Sequence, residues 1–475
     1  MKKEYKVLLA ILIIAFIIRT IFVFLFPVRW WDETVYANLG YDLSKNPFDY
    51  SFNHGWSDFV PDGMWPKAGF RAPLLPYTLS VFYFFKLDFL IDFLIPILGT
   101  FSVLFVFILG KKLFNEKVGL CSALFFAVFP LHVYYSGRIL TDVFSTFFVL
   151  LTFVSFWKGY EENNNKFKIL FGFFLALTLL ARYTALWLIP VFLIYFLIRD
   201  KGLRFLKDKY LWLSVLSFFI TLSPWFFYSF CEYGSIFGVF MHGAKAASYW
   251  GGVQSWTFFF KYWWQTFSVL GIVFVLAFVY ILYKREPAKK EIYLLLVWTF
   301  FFLGMAMLMP HKEGRFLLPI IPAICIICGF FIDRIKYSKR LILALIVILL
   351  ILSLFVNFYY DSRKSYTESN FCFLQGGNFL KNIKSDLVIT DESPLTYYYT
   401  KKATHFYPNP WSLSALKSLI EESYLDKETY IFFTDFDMPL TEEKNIQIKK
   451  DLDNFDEVFN CLNRTIIYKY RVLRK

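Results

Sequence analysis

Apolar runs with few or no charges recur along the first 360 residues, at 7–27, 93–110, 118–137, 143–157, 169–181, 183–198, 211–231, 262–283, 292–310, 316–332 and 341–360. A helix needs about 20 apolar residues to cross a hydrocarbon core roughly 30 Å thick. The pattern therefore predicts about eleven transmembrane helices. Basic clusters separate alternate runs: Lys2/Lys3/Lys6, Lys111/Lys112/Lys117, Lys158/Lys166/Lys168, Arg199/Lys201/Arg204/Lys207/Lys209, Lys284/Arg285/Lys289/Lys290 and Arg334/Lys336/Lys339/Arg340. Positive loops stay in the cytoplasm, which puts the amino terminus inside and the carboxyl terminus outside after eleven crossings. The run at 7–27 is long for a signal peptide and lacks a small-residue cleavage site, so it reads as an uncleaved first helix.

Two segments strain that alternation. Residues 169–198 form one apolar stretch broken by Arg182, with basic clusters on both flanks. Two short helices meeting at Arg182–Tyr183 satisfy the charges, and sixteen residues rise only about 24 Å. Arg182 is then held at membrane depth, expected to pair with Asp142 or a backbone carbonyl. Residues 73–87 are apolar but short, and a full crossing there would break the alternation. They are expected to form an amphipathic or re-entrant helix on the outer side, following a long outer loop at 28–72.

Past residue 360 the apolar runs shrink to strand length. Segments 386–390, 429–434 and 465–472 read as strands, and 374–384 and 412–424 as helices, which suggests a small α/β domain outside the membrane. The expected organisation is thus a transmembrane domain at 1–360, including the 28–72 loop, and an extracytoplasmic domain at 361–475. Cys372 and Cys461 lie in the latter and either pair or stay free. Cys325 and Cys328 sit inside an apolar run with no acidic or histidine neighbour, as packing residues do.

Composition agrees with a lipid environment. The 475 residues are 57% hydrophobic, 23% aromatic and only 18% charged. Disorder, coiled coil and a disulfide-rich secreted scaffold are excluded. The net charge of +13 divides into +14 for residues 1–360 (34 basic, 20 acidic) and −1 for the remainder (16 basic, 17 acidic). The positive charge belongs to the membrane part, so it reports topology and not nucleic-acid binding.

Ionisable residues at membrane depth are costly and therefore mark function. On this topology they gather on the outer side: Asp32 and Glu33 after the first helix, Lys67 and Arg71 before the short helix, Arg138 with Asp142, Arg182, and His311, Lys312, Glu313 and Arg315 in one turn. The acidic pair would be ordinary at a helix start, where the dipole favours acids, and Arg71 could simply snorkel to the interface. Four ionisable side chains between residues 311 and 315 exceed what a short connection needs. Their cations suit a phosphate.

These segments, in order, resemble the GT-C membrane glycosyltransferases that use polyprenyl-phosphate sugars. The Asp32-Glu33…Tyr36 pair is similar to the start of the protein O-mannosyltransferases and the lipid A aminoarabinose transferases. Arg71-Ala-Pro73, Arg138-Ile-Leu-Thr-Asp142 and His311-Lys-Glu-Gly-Arg315-Phe…Pro319 resemble later elements of this group. The resemblance implies a GT-C-like polytopic α-helical fold. It also implies inverting transfer of a hexosyl or pentosyl group from a polyprenyl-phosphate donor to an acceptor hydroxyl on a lipid, glycan or protein. Asp32 would act as base and Glu33 would orient Asp32 or the acceptor. Arg71, Arg138, Arg182, His311, Lys312 and Arg315 would bind the donor phosphate, with Asp142 and Glu313 as further polar groups. No cofactor is required, although a divalent metal on Asp32 and Asp142 remains open, and the expected location is the plasma membrane. Two departures stand out. Asp88 and Asp92 occupy the neighbourhood where many members carry an Arg, and Trp30-Trp31-Asp32 lies in the first loop, not in a carboxyl-terminal domain as in oligosaccharyltransferases. The competing classes are a transporter or flippase, which should show internal symmetry and polar groups at the midplane, and an assembly subunit acting through its tail.

Overall fold

The computed structural model describes residues 3–26, 28–52, 67–249, 253–284, 289–335, 338–359, 368–390, 392–406, 428–435 and 455–470. The helix expected at 412–424 lies outside them. In chain order the helices are α1 (Lys3–Phe24), α2 (Trp31–Lys45), α3 (Leu74–Phe84), α4 (Ile91–Leu113), α5 (Glu116–Ala127), α6 (Pro130–Ser136), α7 (Thr141–Phe156), α8 (Asn165–Ala181), α9 (Leu188–Arg199), α10 (Lys209–Tyr233), α11 (Gly238–Tyr249), α12 (Phe258–Lys261), α13 (Trp263–Tyr283), α14 (Lys290–Leu308), α15 (Ile321–Arg334), α16 (Lys339–Leu354), α17 (Glu368–Asn382) and α18 (Ser393–Thr400). The strands are β1 (Leu387–Thr390), β2 (Thr404–Phe406), β3 (Thr429–Thr434), β4 (Phe455–Cys461) and β5 (Thr465–Tyr470).

Among the described residues, eight helices are long and apolar enough to cross a membrane. Large apolar side chains along them are exposed, as at Phe227 (71%) and Leu341 (72%), a distribution that requires lipid as the surrounding solvent. The chain is an integral, multi-pass membrane protein. The eleven expected crossings differ from eight at 118–137, 169–181 and 183–198. The first of these is a pair, α5 and α6, bent by 58°. The other two are α8 and the segment Tyr183–Arg199, which opens with a 3-10 turn at Tyr183–Trp187. Arg182 stands between them in an extended conformation (φ −161°, ψ 124°), so the break falls where the sequence places it.

The bend between α5 and α6 has a local cause. Pro130 has no N–H to donate and disfavours helical backbone at the residue before it, so Phe129 is extended (φ −65°, ψ 118°) and a new helix starts. Carbonyls freed at the end of α5 are then satisfied from α1. The fully buried Arg19 donates from Nη1 to Ala127 O (2.8 Å) and Ala15 O (3.0 Å), and from Nη2 to Phe126 O (3.3 Å). His132 Nδ1 lies 3.1 Å from Nη2. A guanidinium cannot accept, so Nδ1 accepts and the imidazole proton sits on Nε2. Gly99 makes the room, since a Cβ there would stand 3.1 Å from Arg19 Nε.

By their contacts the residues divide into two compact units. One comprises Met1–Leu25, Gly69–Leu75 and Leu87–Tyr360; the other comprises Phe26–Ala68, Pro76–Lys86 and Asp361–Lys475. This grouping crosses the boundary expected at residue 360, because most of the 28–72 loop goes with the tail.

The second unit is built on a five-stranded sheet of order β2-β1-β3-β5-β4. β1 runs parallel to β2 and β3, while β5 is antiparallel to β3 and β4. Both faces of β1 and β3 are buried, as their largely apolar composition requires. Val388, Tyr430, Phe432 and Ile467 from the sheet pack with Phe373 and Leu380 of α17, Leu395 of α18, and Val28 from the first loop. A disulfide joins Cys372 on α17 to Cys461 on β4. α2 docks on the same domain: Asn38 Nδ2 donates to Pro394 O (2.8 Å) and Tyr397 OH to Asp42 Oδ1 (2.9 Å). Its other neighbour is α3, where Gly40 permits the approach, since a Cβ there would lie 2.7 Å from Leu79 Cβ. Eleven residues in α3 rise about 16 Å, too little to span.

Candidate functional site

In the first unit, four segments distant in sequence bring charged side chains together. Asp142 lies in the first turn of α7 and is 2% exposed. Its Oδ1 accepts from Arg182 Nη1 (2.5 Å), which also donates to Thr141 Oγ1 (3.1 Å). Its Oδ2 faces Arg315 Nη1 at 3.9 Å. One carboxylate therefore holds two guanidinium groups that would otherwise repel each other. Arg182 uses only Nη1 in these bonds, which leaves Nε and Nη2 without a hydrogen-bond partner among the described residues.

The turn before α15 supplies the rest. Glu313 Oε1 accepts from Arg315 Nη2 (2.7 Å) and from His311 Nε2 (3.0 Å), so this carboxylate fixes both neighbours. Phe316 stands beneath the guanidinium groups, with its ring centre 4.9 Å from Arg182 and 5.9 Å from Arg315. Stacked on an aromatic face, Arg keeps its donor edge free for another ligand. The sequence expectation that Arg182 pairs with Asp142 matches this geometry.

Arg71 is brought to the same region by a tyrosine bridge. Tyr183, next to Arg182, donates its hydroxyl to Gly69 O (2.7 Å) and accepts from Trp225 Nε1 (3.0 Å). The backbone two residues before Arg71 is thereby tied to the turn carrying Arg182. Phe70 meets His242 edge-on, and His242 Nδ1 lies 3.1 Å from Tyr233 OH. Arg138 is 2% exposed, just ahead of α7.

Lys312 departs from its expected place among the phosphate ligands. It is 3% exposed, and its Nζ donates to Gln254 O (2.8 Å) and Met309 O (2.5 Å). Its own N–H donates to Gln254 Oε1 (2.5 Å). The ammonium thus secures the turn from below, because backbone carbonyls at the end of α14 need donors. Gln254 had no sequence signal of its own.

The acidic pair belongs to the second unit and opens α2. Glu33 is fully buried; Oε2 accepts the Trp30 N–H (2.7 Å) and Oε1 lies 3.5 Å from Arg29 Nη1. A Glu at the third helical position reaching back to the cap residue stabilises the helix start. Arg29 N–H in turn donates to Tyr399 OH (3.0 Å), fastening this start to α18. Asp32 is partly exposed one residue earlier. Lys67 pairs across a bridge with Ser51. Among those residues no three His, Cys, Asp or Glu side chains gather to hold a metal ion.

Comparison with known proteins agrees with the architecture. The sequence model of the dolichyl-phosphate-mannose-protein mannosyltransferase family matches residues 71–228. ArnT from Cupriavidus metallidurans in the apo state superposes with a TM-score of 0.74 at 10% identity, covering 98% of each chain. The same protein bound to undecaprenyl phosphate gives 0.71 at 11% identity, covering 97% of each chain. The Archaeoglobus fulgidus oligosaccharyltransferase gives 0.63 at 13% identity, over 91% of this chain and 70% of that one. No curated protein sequence matches the chain significantly. At these identities the likeness is one of fold.

Proposed function

We propose that this chain, whose fold is that of the GT-C membrane glycosyltransferases, transfers a sugar from a polyprenyl-phosphate carrier to an acceptor hydroxyl with inversion at the anomeric carbon. The observation that carries this reading is the cluster of Arg182 and Arg315 on Asp142, stacked over Phe316 with part of the Arg182 fork unclaimed. Undecaprenyl phosphate is bound by one protein of the same fold.

In the reaction the acceptor oxygen attacks the anomeric carbon and the bond from that carbon to the phosphate oxygen breaks. The electron pair stays on the phosphate, which leaves as the prenyl monophosphate with one more negative charge. Arg182 and Arg315, with Arg71 and Arg138 of the same unit, stabilise that charge. Removing one such preorganised donor typically costs about 10²–10³-fold in rate. Asp142 and Glu313 hold the guanidinium groups in place. Asp32 takes the acceptor proton; general base catalysis contributes about 10²–10⁴-fold. Glu33 positions Asp32 by holding the start of α2. The tail and the catalytic face lie outside the membrane, on the side opposite the basic loops.

Purified protein incubated with a panel of labelled prenyl-phosphate sugars tests the reading. At least one donor should be consumed with sugar appearing on an acceptor, and Asp32→Asn should abolish the transfer while insertion and folding persist. Full activity in Asp32→Asn removes Asp32 from the mechanism, and inertness toward every donor removes the activity.

A further inference from the structure

A cavity lies along the half of α8 away from Arg182. It is about 290 Å³ in volume, sits between α8, α9 and α10, and is walled by Phe171, Leu175, Leu193, Val215 and Phe218. From Phe171 to Arg182 the helix rises about 16 Å, so the cavity and the arginine cluster are separate sites. Its lining is almost wholly apolar. At its edge Gly172 lets two backbones touch, since a Cβ there would overlap Ser214 O.

The 3-10 turn Arg204–Lys207 closes one end. Phe205 and Leu206 of this turn line the cavity, and the Phe205 ring stacks on Phe196 at 5.1 Å. Trp212 Nε1 donates to Leu206 O (2.9 Å), with its ring more than half exposed, the posture of an interfacial anchor. The segment that carries this turn and leads into α10 also holds Lys201, Arg204, Lys207 and Lys209, all exposed. None has an ion-pair partner among the described residues. Neighbouring cations are different: Lys168 is bound to Asp208 (2.7 Å), and Arg199 to Asp200 (2.5 Å) and Glu161 (3.1 Å).

We propose that this cavity is a binding site for an anionic phospholipid of the adjacent leaflet, with one acyl chain between α8, α9 and α10 and the headgroup phosphate between Arg204 and Lys207. An apolar cavity of this kind does not hold water, and a membrane supplies acyl chains at high concentration. Basic pockets between transmembrane helices beside the cytoplasmic leaflet select anionic headgroups. The four unpaired cations give that selectivity, and their apolar neighbours in sequence seat the chain. The site does not depend on the catalytic reading, because it shares no residue with the arginine cluster.

Native mass spectrometry of the purified full-length protein, with phosphatidylglycerol or phosphatidylcholine of matched chains added, tests this. Phosphatidylglycerol should be retained at least about fivefold better, the difference that one interfacial cation makes. The surface double variant Arg204→Ala/Lys207→Ala should keep its thermal stability and lose the preference. Leu193→Trp should fill the cavity and lower retention of both lipids. Equal retention by the native protein, or a preference unchanged in the double variant, overturns the proposal. So does displacement of phosphatidylglycerol by undecaprenyl phosphate with Arg204 and Lys207 intact, which would give the cavity to the carrier lipid.

Discussion

Asp142 is the side chain on which the arginine cluster turns. Because it is buried between two cations, Asp142→Ala leaves Arg182 without its carboxylate while Arg315 keeps only Glu313. The expected outcome is a loss of about 3 kcal/mol in unfolding free energy, the usual cost of removing one partner from a buried pair, together with transfer activity; unchanged thermal stability would contradict the pairing. Arg182→Lys keeps the charge but loses the planar fork over Phe316, so it should retain folding while weakening donor use. Much of this cluster was legible. An Arg in the middle of an apolar stretch must find a partner, and four ionisable groups in five positions have no role in a plain connection. The direction in which each side chain points was not legible. Lys312 and Arg315 look alike in sequence, yet one is occupied by carbonyls of Met309 and Gln254 and the other by carboxylates. Arg19 was hidden for a further reason: it sits inside an otherwise apolar run, and its partners are backbone carbonyls 107 and 108 residues away.

At the level of helices, Arg19 and Pro130 act as one device. Arg19→Leu should leave the Ala127 carbonyl without a donor and the Phe126 carbonyl with only long backbone donors such as Phe129 N–H (3.4 Å), costing about 1–3 kcal/mol for an unsatisfied group. Restoring the helical N–H with Pro130→Ala should lessen that loss. A thermal unfolding series on the two single variants and the double variant measures the coupling, and simple additivity would refute it. The eight long spans were readable because twenty apolar residues in lipid allow hardly any backbone other than helix. The bend inside the run at 118–137 was not readable, because hydropathy counts apolar residues and is blind to the break at Phe129–Pro130. In the second unit, α2 is held by Tyr397, whose phenol is pushed above its usual range, first by burial and then by the Asp42 carboxylate. A raised folded value means that its contribution is complete below the ordinary tyrosine range, near pH 10, and falls as pH rises through the folded value. Tyr397→Phe should flatten that alkaline loss in a pH series of unfolding midpoints; an unchanged profile would contradict it.

For the whole molecule, the grouping of the first loop with the tail was beyond the reach of pattern reading. Asn38 and Pro394 are 356 residues apart, and no periodicity reports such a pairing. The disulfide between Cys372 and Cys461 bears on sidedness, since such bonds persist only in oxidising compartments. In intact cells these two thiols should resist maleimide until a reductant is added, and Cys372→Ser/Cys461→Ser should destabilise the tail unit by about 4 kcal/mol. Ready labelling without reductant would place the tail on the reducing side. The central claim is that the arginine cluster holds a lipid phosphate, and equilibrium titration of undecaprenyl phosphate into the native protein and into Arg182→Ala/Arg315→Ala tests it most directly. The account predicts saturable binding that weakens by at least about tenfold in the double variant, as loss of charge-assisted hydrogen bonds requires. Equal dissociation constants for the two proteins would contradict it.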